Sequence, residues 1–304
     1  MMRESDFIDW VRSQSRFDPA VVPIGPGDDM AAVEPADEQV LVATDQVLDG
    51  VHFILAEHGA RAAGRKAMAR NLSDVAAMAA VPVGAVAAVA FPRGSSREAA
   101  EEIYRGLREP GDAFGCPLVG GDVGTWDGPL AITVTVLARP GAGGAICRNG
   151  AKPGDAICVT GSFGGAWRGG RHLSFVPRIR EALVLAAGWE LHAMIDVSDG
   201  LARDLGHLCE ESGCGADVIA ADVPIHPDDR AADEPLAAAL NDGEDYELLF
   251  TLPWDGRMEK LIACPPFETP VTCIGRIIQP AGLWLTGRDG RGRRIEPGGW
   301  EHRA

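Results

Sequence analysis

The chain is short of positive charge. Its 304 residues carry 28 lysines and arginines against 44 aspartates and glutamates, a formal net charge of −16. That deficit argues against a nucleic-acid partner, because non-specific affinity for a phosphate backbone rests on basic side chains. A small phosphorylated ligand stays open, since bound cations invert the field that an acidic site presents. Paired cysteines are lacking too. The seven cysteines, at 116, 147, 158, 209, 214, 264 and 273, contain no Cys-x-x-Cys pair. Their odd number argues against a closed disulfide framework, so reduced thiols and a cytoplasmic setting are expected. The N-terminal MMRESDFIDWVRSQSRF carries Glu4, Asp6 and Asp9 where a secretory signal needs an apolar core. The uncharged stretch from Val75 to Phe91 falls short of the ~20 residues of a spanning helix and contains Pro82 and Gly84, so no membrane partner is expected. No repeat of fixed period is present. Nor does any Ser/His/Asp or Cys/His arrangement mark an activated nucleophile, and no catalytic side chain is assigned.

What is abundant is acid at punctuated positions. Gly25 to Phe53 reads GPGDDMAAVEPADEQVLVATDQVLDGVHF, and Asp28, Asp29, Asp45 and Asp49 are expected at turns between short apolar strand-like runs. One carboxylate at a turn caps a backbone, whereas several converging ones repel each other unless a cation joins them. The pattern predicts a short amphipathic helix over 5–16, from Phe7, Ile8, Trp10 and Val11. It also predicts an alanine-rich helix over 64–80 in which Ala67, Asn71, Asp74 and Met78 share a face. Asn71 and Asp74 have two readings there, hydrogen bonding inside a core or presentation to a ligand. Val83 to Phe91 reads as a buried strand. Ser95-Ser96-Arg97-Glu98 opens a helix with a capping box, and Pro110-Gly111 is expected to stop or kink it. Leu130 to Ala138 alternates as a strand, and Gly120-Gly121-Asp122 before it is expected as a loop whose small residues let backbone approach a ligand.

Arg139 to Gly144 (RPGAGG) is the linker candidate, which divides the chain into domains over 1–143 and 144–304. In the second half Ala156 to Thr160 is a short strand, and Gly161 to Gly165 is a glycine-rich turn, a weak mark of phosphate binding. Ala193 to Asp196 ends a strand, and Ser198 is placed to cap a helix over 199–211 with Leu201, Leu205 and Leu208 as its buried stripe. Asp199 has an ordinary reading as a helix-dipole partner. Asp196 ends an apolar strand, where open α/β sheets present ligand-binding groups. Glu244, Asp245 and Glu247 form a last acidic cluster before the strand from Tyr246 to Thr251, with a solvated turn as its bland alternative.

Acids repeated at strand ends and glycine turns, with no nucleophile and base to accompany them, favour hard-cation chemistry. Magnesium is the default, because it takes oxygen ligands at ~2.0–2.1 Å and shares them between carboxylates, water and substrate phosphates. Seven motifs then occur in one order: GDD at 27–29, TDxxxxGVHF at 44–53, NLSDVAAM at 71–78, GGD at 120–122, RNGAKPGD at 148–155, IDVSDGLxxDLGH at 195–207 and GEDYELLF at 243–250. Together they resemble the thiamine-monophosphate kinases, within a wider superfamily of ATP-using enzymes similar to aminoimidazole-ribonucleotide synthetase.

The resemblance implies ATP-dependent phosphorylation of thiamine monophosphate to the diphosphate, with several magnesium ions held between carboxylates and phosphates. It implies an α/β fold of the α+β type, in which an N-terminal sheet domain forms a barrel with a second subunit and a C-terminal mixed sheet flanked by helices closes the active site. Carried over by position, Asp28, Thr44, Asp45, Asp74, Asp122, Asp196 and Asp199 are the implied metal set. Tyr104, Gly121, Asp122, Arg148 and Ser198 are the implied ATP contacts, and His52, Glu244 and Trp300 those of thiamine monophosphate. Outside the motif context His52 reads as a satisfied turn histidine and Trp300 as a packing residue. Ala43, the stretch 123–127 and Asn241-Asp242 depart from the family's usual pattern. They keep two alternatives open: a superfamily enzyme with another acceptor, and a non-catalytic nucleotide- or metal-binding regulator.

Overall fold

The computed structural model describes residues 40–229, 233–296 and 298–300, together with residues 10, 13, 14, 16, 18 and 21. The helix expected over 5–16 lies largely outside the described residues, among which Trp10, Ser13 and Gln14 are helical. Asp28 and Asp29 lie outside them as well. The described residues form two sheets and six helices in a mixed α/β arrangement, and neither sheet closes on itself. The chain divides into two compact units, Met1–Val75 with Ala80–Pro140, and Ala76–Ala79 with Gly141–Ala304. No described helix is long and apolar enough to cross a membrane.

The first unit holds β1 (Leu41–Leu48), β2 (Ala80–Pro92), β3 (Leu118–Trp126) and β4 (Ala131–Pro140) in the order β1-β4-β2-β3. Only the β2–β3 pair is parallel. Alternation sorts the two faces: Val47, Ile132, Val134, Val136, Ala87 and Val89 are buried, whereas Val42, Thr44 and Gln46 face outward. Helices α1 (Leu55–Ala77) and α2 (Arg97–Phe114) approach each other at Gly64 and Gly106. A Cβ on Gly64 would stand 2.2 Å from the Ile103 carbonyl oxygen, and one on Gly106 2.0 Å from that of Arg61. Glycine at both positions is therefore a packing requirement.

Three expectations change here. The segment α1 is two helical pieces that meet at a kink at Gly59 (φ 79°, ψ 162°): a short first turn from Leu55, whose N–H donates to the Asp49 carboxylate (2.8 Å), and the main helix after Gly59, which begins a few residues before 64 and ends at Ala77. Helix α2 is capped by Ser96, whose hydroxyl accepts from the Ala99 N–H (3.2 Å), but it does not stop at Pro110. Losing one backbone bond is outweighed by the buried stripe of Ile103, Leu107 and Pro110, and the helix ends at Gly115 in the left-handed region (φ 67°). Finally, Gly120-Gly121-Asp122 is not a loop; it lies in β3, paired with β2. Gly121 permits this because its backbone lies flat against the Ala87 carbonyl, where a Cβ would come within 1.9 Å.

The second unit is built on seven strands: β5 (Ala156–Thr160), β6 (Ala193–Asp196), β7 (Gly215–Ile219), β8 (Leu248–Leu252), β9 (Val271–Ile278), β10 (Gly282–Thr286) and β11 (Gly292–Ile295). Their order is β11-β10-β7-β9-β5-β8-β6, with only β10 and β7 parallel. Helices α3 (Ile179–Gly188), α4 (Leu201–Ser212), α5 (Pro235–Asn241) and α6 (Gly256–Ala263) accompany it. Leu201, Leu205 and Leu208 of α4 join Ile157, Val159, Ile195, Leu249, Ile274 and Ile277 in one buried cluster. Burying each such side chain is worth roughly 1.5–3 kcal/mol, so this cluster fixes where α4 begins and with it the turn that follows β6.

Candidate functional site

In the first unit the polar residues gather around β1 and α1. Asp45 stands in mid-strand opposite Val134 rather than at a turn. Its backbone N–H donates to Asn71 Oδ1 (3.1 Å), while Asn71 Nδ2 donates to the Ala67 carbonyl (2.9 Å), so Asn71 spends its amide on structure. Arg70 Nε lies 3.5 Å from Asp45 Oδ2, and the half-buried Asp74 follows Arg70 by one helical turn. Thr44 points to the outward face, with its hydroxyl donating to the Val134 carbonyl (3.1 Å) and 2.9 Å from Thr135 Oγ1. The exposed Asp122 shares a register row with Ala88, Thr133 and Gln46. Three strand spacings separate β3 from β1, about 14 Å, so within one chain Asp122 and Asp45 are not brought together.

Near Asp45, the turn after β1 carries His52, only 5% exposed, whose Nδ1 accepts from the Leu48 N–H (3.1 Å). Asp49 is a helix-start acceptor, as noted above. Tyr104 is buried on α2, edge-on to Trp10 with ring centroids 5.1 Å apart and with the Arg108 guanidinium 6.0 Å from its ring.

In the second unit the strand-to-helix turn after β6 is the focus. Asp196 is buried at the end of β6. Ser198 does not cap α4; the helix N-cap is Gly200, and the side chain that satisfies the turn is Asp204, whose Oδ2 accepts from the Asp199 N–H (3.0 Å) and the Gly200 N–H (3.1 Å). Burial, reinforced by the charges of Asp196 and Asp199, pushes the Asp204 carboxyl well above its ordinary range. One ligand atom each from Asp199, Asp204 and His207 lies within 4.8 Å of the others. Asp204 and His207 lie outside the implied ligand set, and their three-residue spacing at the start of a helix is the signal that finds them.

The same turn gathers three assigned residues around Asp199. The Glu244 N–H donates to the Ser198 carbonyl (2.8 Å) and the Trp300 N–H to the Asp199 carbonyl (2.9 Å). Glu244 itself is held at a positive φ of 62°, with its carboxylate accepting from the Tyr246 hydroxyl (3.1 Å). Trp300 is half-exposed beside them. Arg148 is not part of this group. It is exposed, and its carbonyl accepts from Ser212 Oγ (2.8 Å) at the far end of α4.

The remaining acids of the GEDYELLF motif have a different environment. Asp245 accepts from Arg171 Nη2 (2.5 Å) and the Gly164 N–H (3.1 Å). Glu247 accepts from Arg178 Nη2 (2.5 Å), Arg178 Nε (2.7 Å) and Thr160 Oγ1 (2.7 Å). Arg168 bonds Asp229 and lies 3.3 Å from Asp242. Burial pushes the Asp245 carboxyl up to about 7 against the lowering by Arg171. The glycine turn over 161–165 is fitted to these carboxylates: a Cβ on Gly161 would stand 2.2 Å from Glu247 Oε1, and the Gly164 amide is taken by Asp245. The cluster is an internal ion-pair network, not a solvated turn.

Residues 27–139 match the family described as AIR synthase related protein, N-terminal domain. Over 316 residues the chain is 36% identical to the thiamine-monophosphate kinase of Rhodopirellula baltica, covering 98% of this chain and 97% of that one. The crystal structure of thiamine-monophosphate kinase from Stenotrophomonas maltophilia K279a superimposes with a TM-score of 0.81 at 34% identity, over 95% of this chain and 97% of the other. The structure of AaThiL complexed with AMPPCP and TMP superimposes with a TM-score of 0.76 at 27% identity, over 100% and 99% of the two chains.

Proposed function

The chain belongs to the thiamine-monophosphate kinase family, and on that premise we propose that it transfers the γ-phosphoryl group of ATP to the phosphate of thiamine monophosphate, giving thiamine diphosphate and ADP. The observation that carries the reading is the turn after β6, where Ser198, Asp199, Glu244 and Trp300 are tied by backbone hydrogen bonds. These residues represent the nucleotide, metal and acceptor roles in a single local structure.

In this reading Tyr104, Gly121, Asp122, Arg148 and Ser198 serve ATP, and His52, Glu244 and Trp300 serve thiamine monophosphate. Magnesium ions would be held by Asp28, Thr44, Asp45, Asp74, Asp122, Asp196 and Asp199. The donor set after β6 suits a hard cation, since Asp204 meets the charges of Asp196 and Asp199 in a buried setting that a cation would relieve. Bound magnesium would supply neutralisation of the phosphate oxygens that meet during transfer.

The chain's own task is alignment. A phosphate oxygen of thiamine monophosphate forms a bond to the γ-phosphorus in line with the departing ADP oxygen. That attacking oxygen is already anionic, so no side chain need remove a proton. With Nδ1 of His52 accepting from the Leu48 amide, the neutral ring carries its proton on Nε2 and presents a donor suited to a phosphate oxygen. The indole of Trp300 offers a flat face for a cationic heteroaromatic ring. The outward face of the first sheet, with Val42, Thr44, Gln46 and Val86 exposed, suits a second copy whose sheet completes a barrel, and the cytoplasmic homodimer belongs to the same reading.

The test is turnover. Purified chain with ATP, magnesium and thiamine monophosphate is expected to yield equimolar ADP and thiamine diphosphate by chromatography. Binding of both ligands without product would overturn the assignment.

A further inference from the structure

Lys66 is fully buried on α1, a placement that lysine adopts only when its ammonium has a purpose-built partner. Its Nζ donates to the carbonyl oxygen of His52 at 2.6 Å. That carbonyl belongs to a turn already fastened by the His52 N–H to the Leu48 carbonyl (2.9 Å), the Gly50 N–H to the Phe53 carbonyl (2.8 Å) and the Leu48 N–H to His52 Nδ1 (3.1 Å). Five residues along the same helix, the buried Asn71 accepts from the backbone of Asp45. Two buried polar side chains of α1 thus grip the backbone at either end of one segment, at Asp45 in mid-strand and at His52 in the turn. An aliphatic side chain at 66 would remove this donor from the His52 carbonyl.

We propose that Lys66 is a positioning residue for His52, holding the turn so that the ring keeps its Nδ1 on the Leu48 amide and presents its Nε2–H to the substrate phosphate. The inference rests on the reading of His52 as a contact to thiamine monophosphate. Lys66 touches no substrate in this account and acts through the backbone it holds. Its loss therefore weakens acceptor binding with little effect on ATP.

The test compares Lys66→Met, Lys66→Arg and His52→Ala by steady-state kinetics and by 15N NMR of the histidine imidazoles, on protein shown to be folded by thermal unfolding. His52→Ala is expected to raise KM for thiamine monophosphate by at least about tenfold, and Lys66→Met by about tenfold, with KM for ATP changed less than about twofold. Lys66→Arg, which keeps a charged donor, is expected to recover most of that loss. In the wild-type chain His52 is expected to show the neutral Nε2–H tautomer, and in Lys66→Met an averaged tautomer signal. Should Lys66→Met fail to fold, Lys66→Gln takes its place with the same expectations. An impaired His52→Ala beside an unimpaired Lys66→Met would overturn the role of Lys66 alone. His52→Ala with wild-type KM would overturn the substrate assignment of His52 and the inference with it. Equal rises in both KM values with an unchanged His52 signal would mark Lys66 as a general packing residue and also refute the proposal.

Discussion

Two acidic motifs of the second unit look alike in sequence and differ in what neutralises them. In GEDYELLF, Asp245 and Glu247 are each bonded to an arginine, and the glycine turn over 161–165 is shaped around them. In IDVSDGLARDL, Asp204 sits among the charges of Asp196 and Asp199, with backbone amides as its hydrogen-bond partners. Two like charges 4 Å apart at an effective dielectric of 20 repel by about 4 kcal/mol, too much to leave standing in a fold of ordinary stability. The first set is resolved by arginines; in the second the crowding shows as a raised Asp204 carboxyl, which on the proposed reading a bound cation would relieve. An aspartate's role here is decided by its neighbours more than by its motif.

That contrast can be broken in three places, taken from the largest expected effect to the smallest. Arg178→Met leaves Glu247 buried without its bidentate partner and is expected to lower unfolding free energy by about 3–5 kcal/mol, read from denaturant midpoints; a loss below about 1 kcal/mol would show that the network is not a structural one. Next, magnesium at a hundred times its dissociation constant is expected to stabilise the wild-type chain by about 2.7 kcal/mol, with most of that gain absent in Asp199→Asn and retained in Glu247→Gln. Equal loss in both variants would erase the distinction between the two motifs.

The smallest effect concerns pH. The Asp204 carboxyl is raised in the folded chain, so the folded state holds a proton that the unfolded state has released. Stability in magnesium-free buffer is therefore expected to decline as pH rises from the unfolded carboxylate value near 4 toward the folded one. Asp204→Asn, which keeps an acceptor for the two amides, is expected to flatten that decline by about 1 kcal/mol or more, and saturating magnesium to flatten it in the wild type. A decline of the same slope in wild type and variant would place the titration elsewhere.

Much of this was legible in the residue pattern, for physical reasons. The strands over 83–91, 130–138, 156–160 and 271–278 and the cap at Ser96 follow from periodicity and local hydrogen bonding, which act within a few residues. Gly120-Gly121-Asp122 reads as a loop in sequence because glycine's meaning there depends on Ala87, which lies more than thirty residues away in sequence and beside it in the sheet. Asp45 and Asp199 were found as acids, but their settings rest on Asn71 and on Asp204 and Trp300, which only the fold supplies. Local pattern also could not divide the acids of GEDYELLF, because Arg171 and Arg178 come from a segment about seventy residues earlier. Expecting Asp45 at a turn likewise hides that Thr44 and Asp45 lie in one strand, where alternation turns them to opposite sides of β1.

The most direct test of the division between cation-seeking and arginine-neutralised acids is the magnesium dependence of thiamine diphosphate formation, measured at saturating ATP in the wild-type chain and in folded Asp199→Asn. The half-saturating magnesium concentration is expected to rise by about tenfold or more in the variant, the loss of one charged ligand costing on the order of 1.4 kcal/mol. Superimposable magnesium curves for the two proteins would contradict the account.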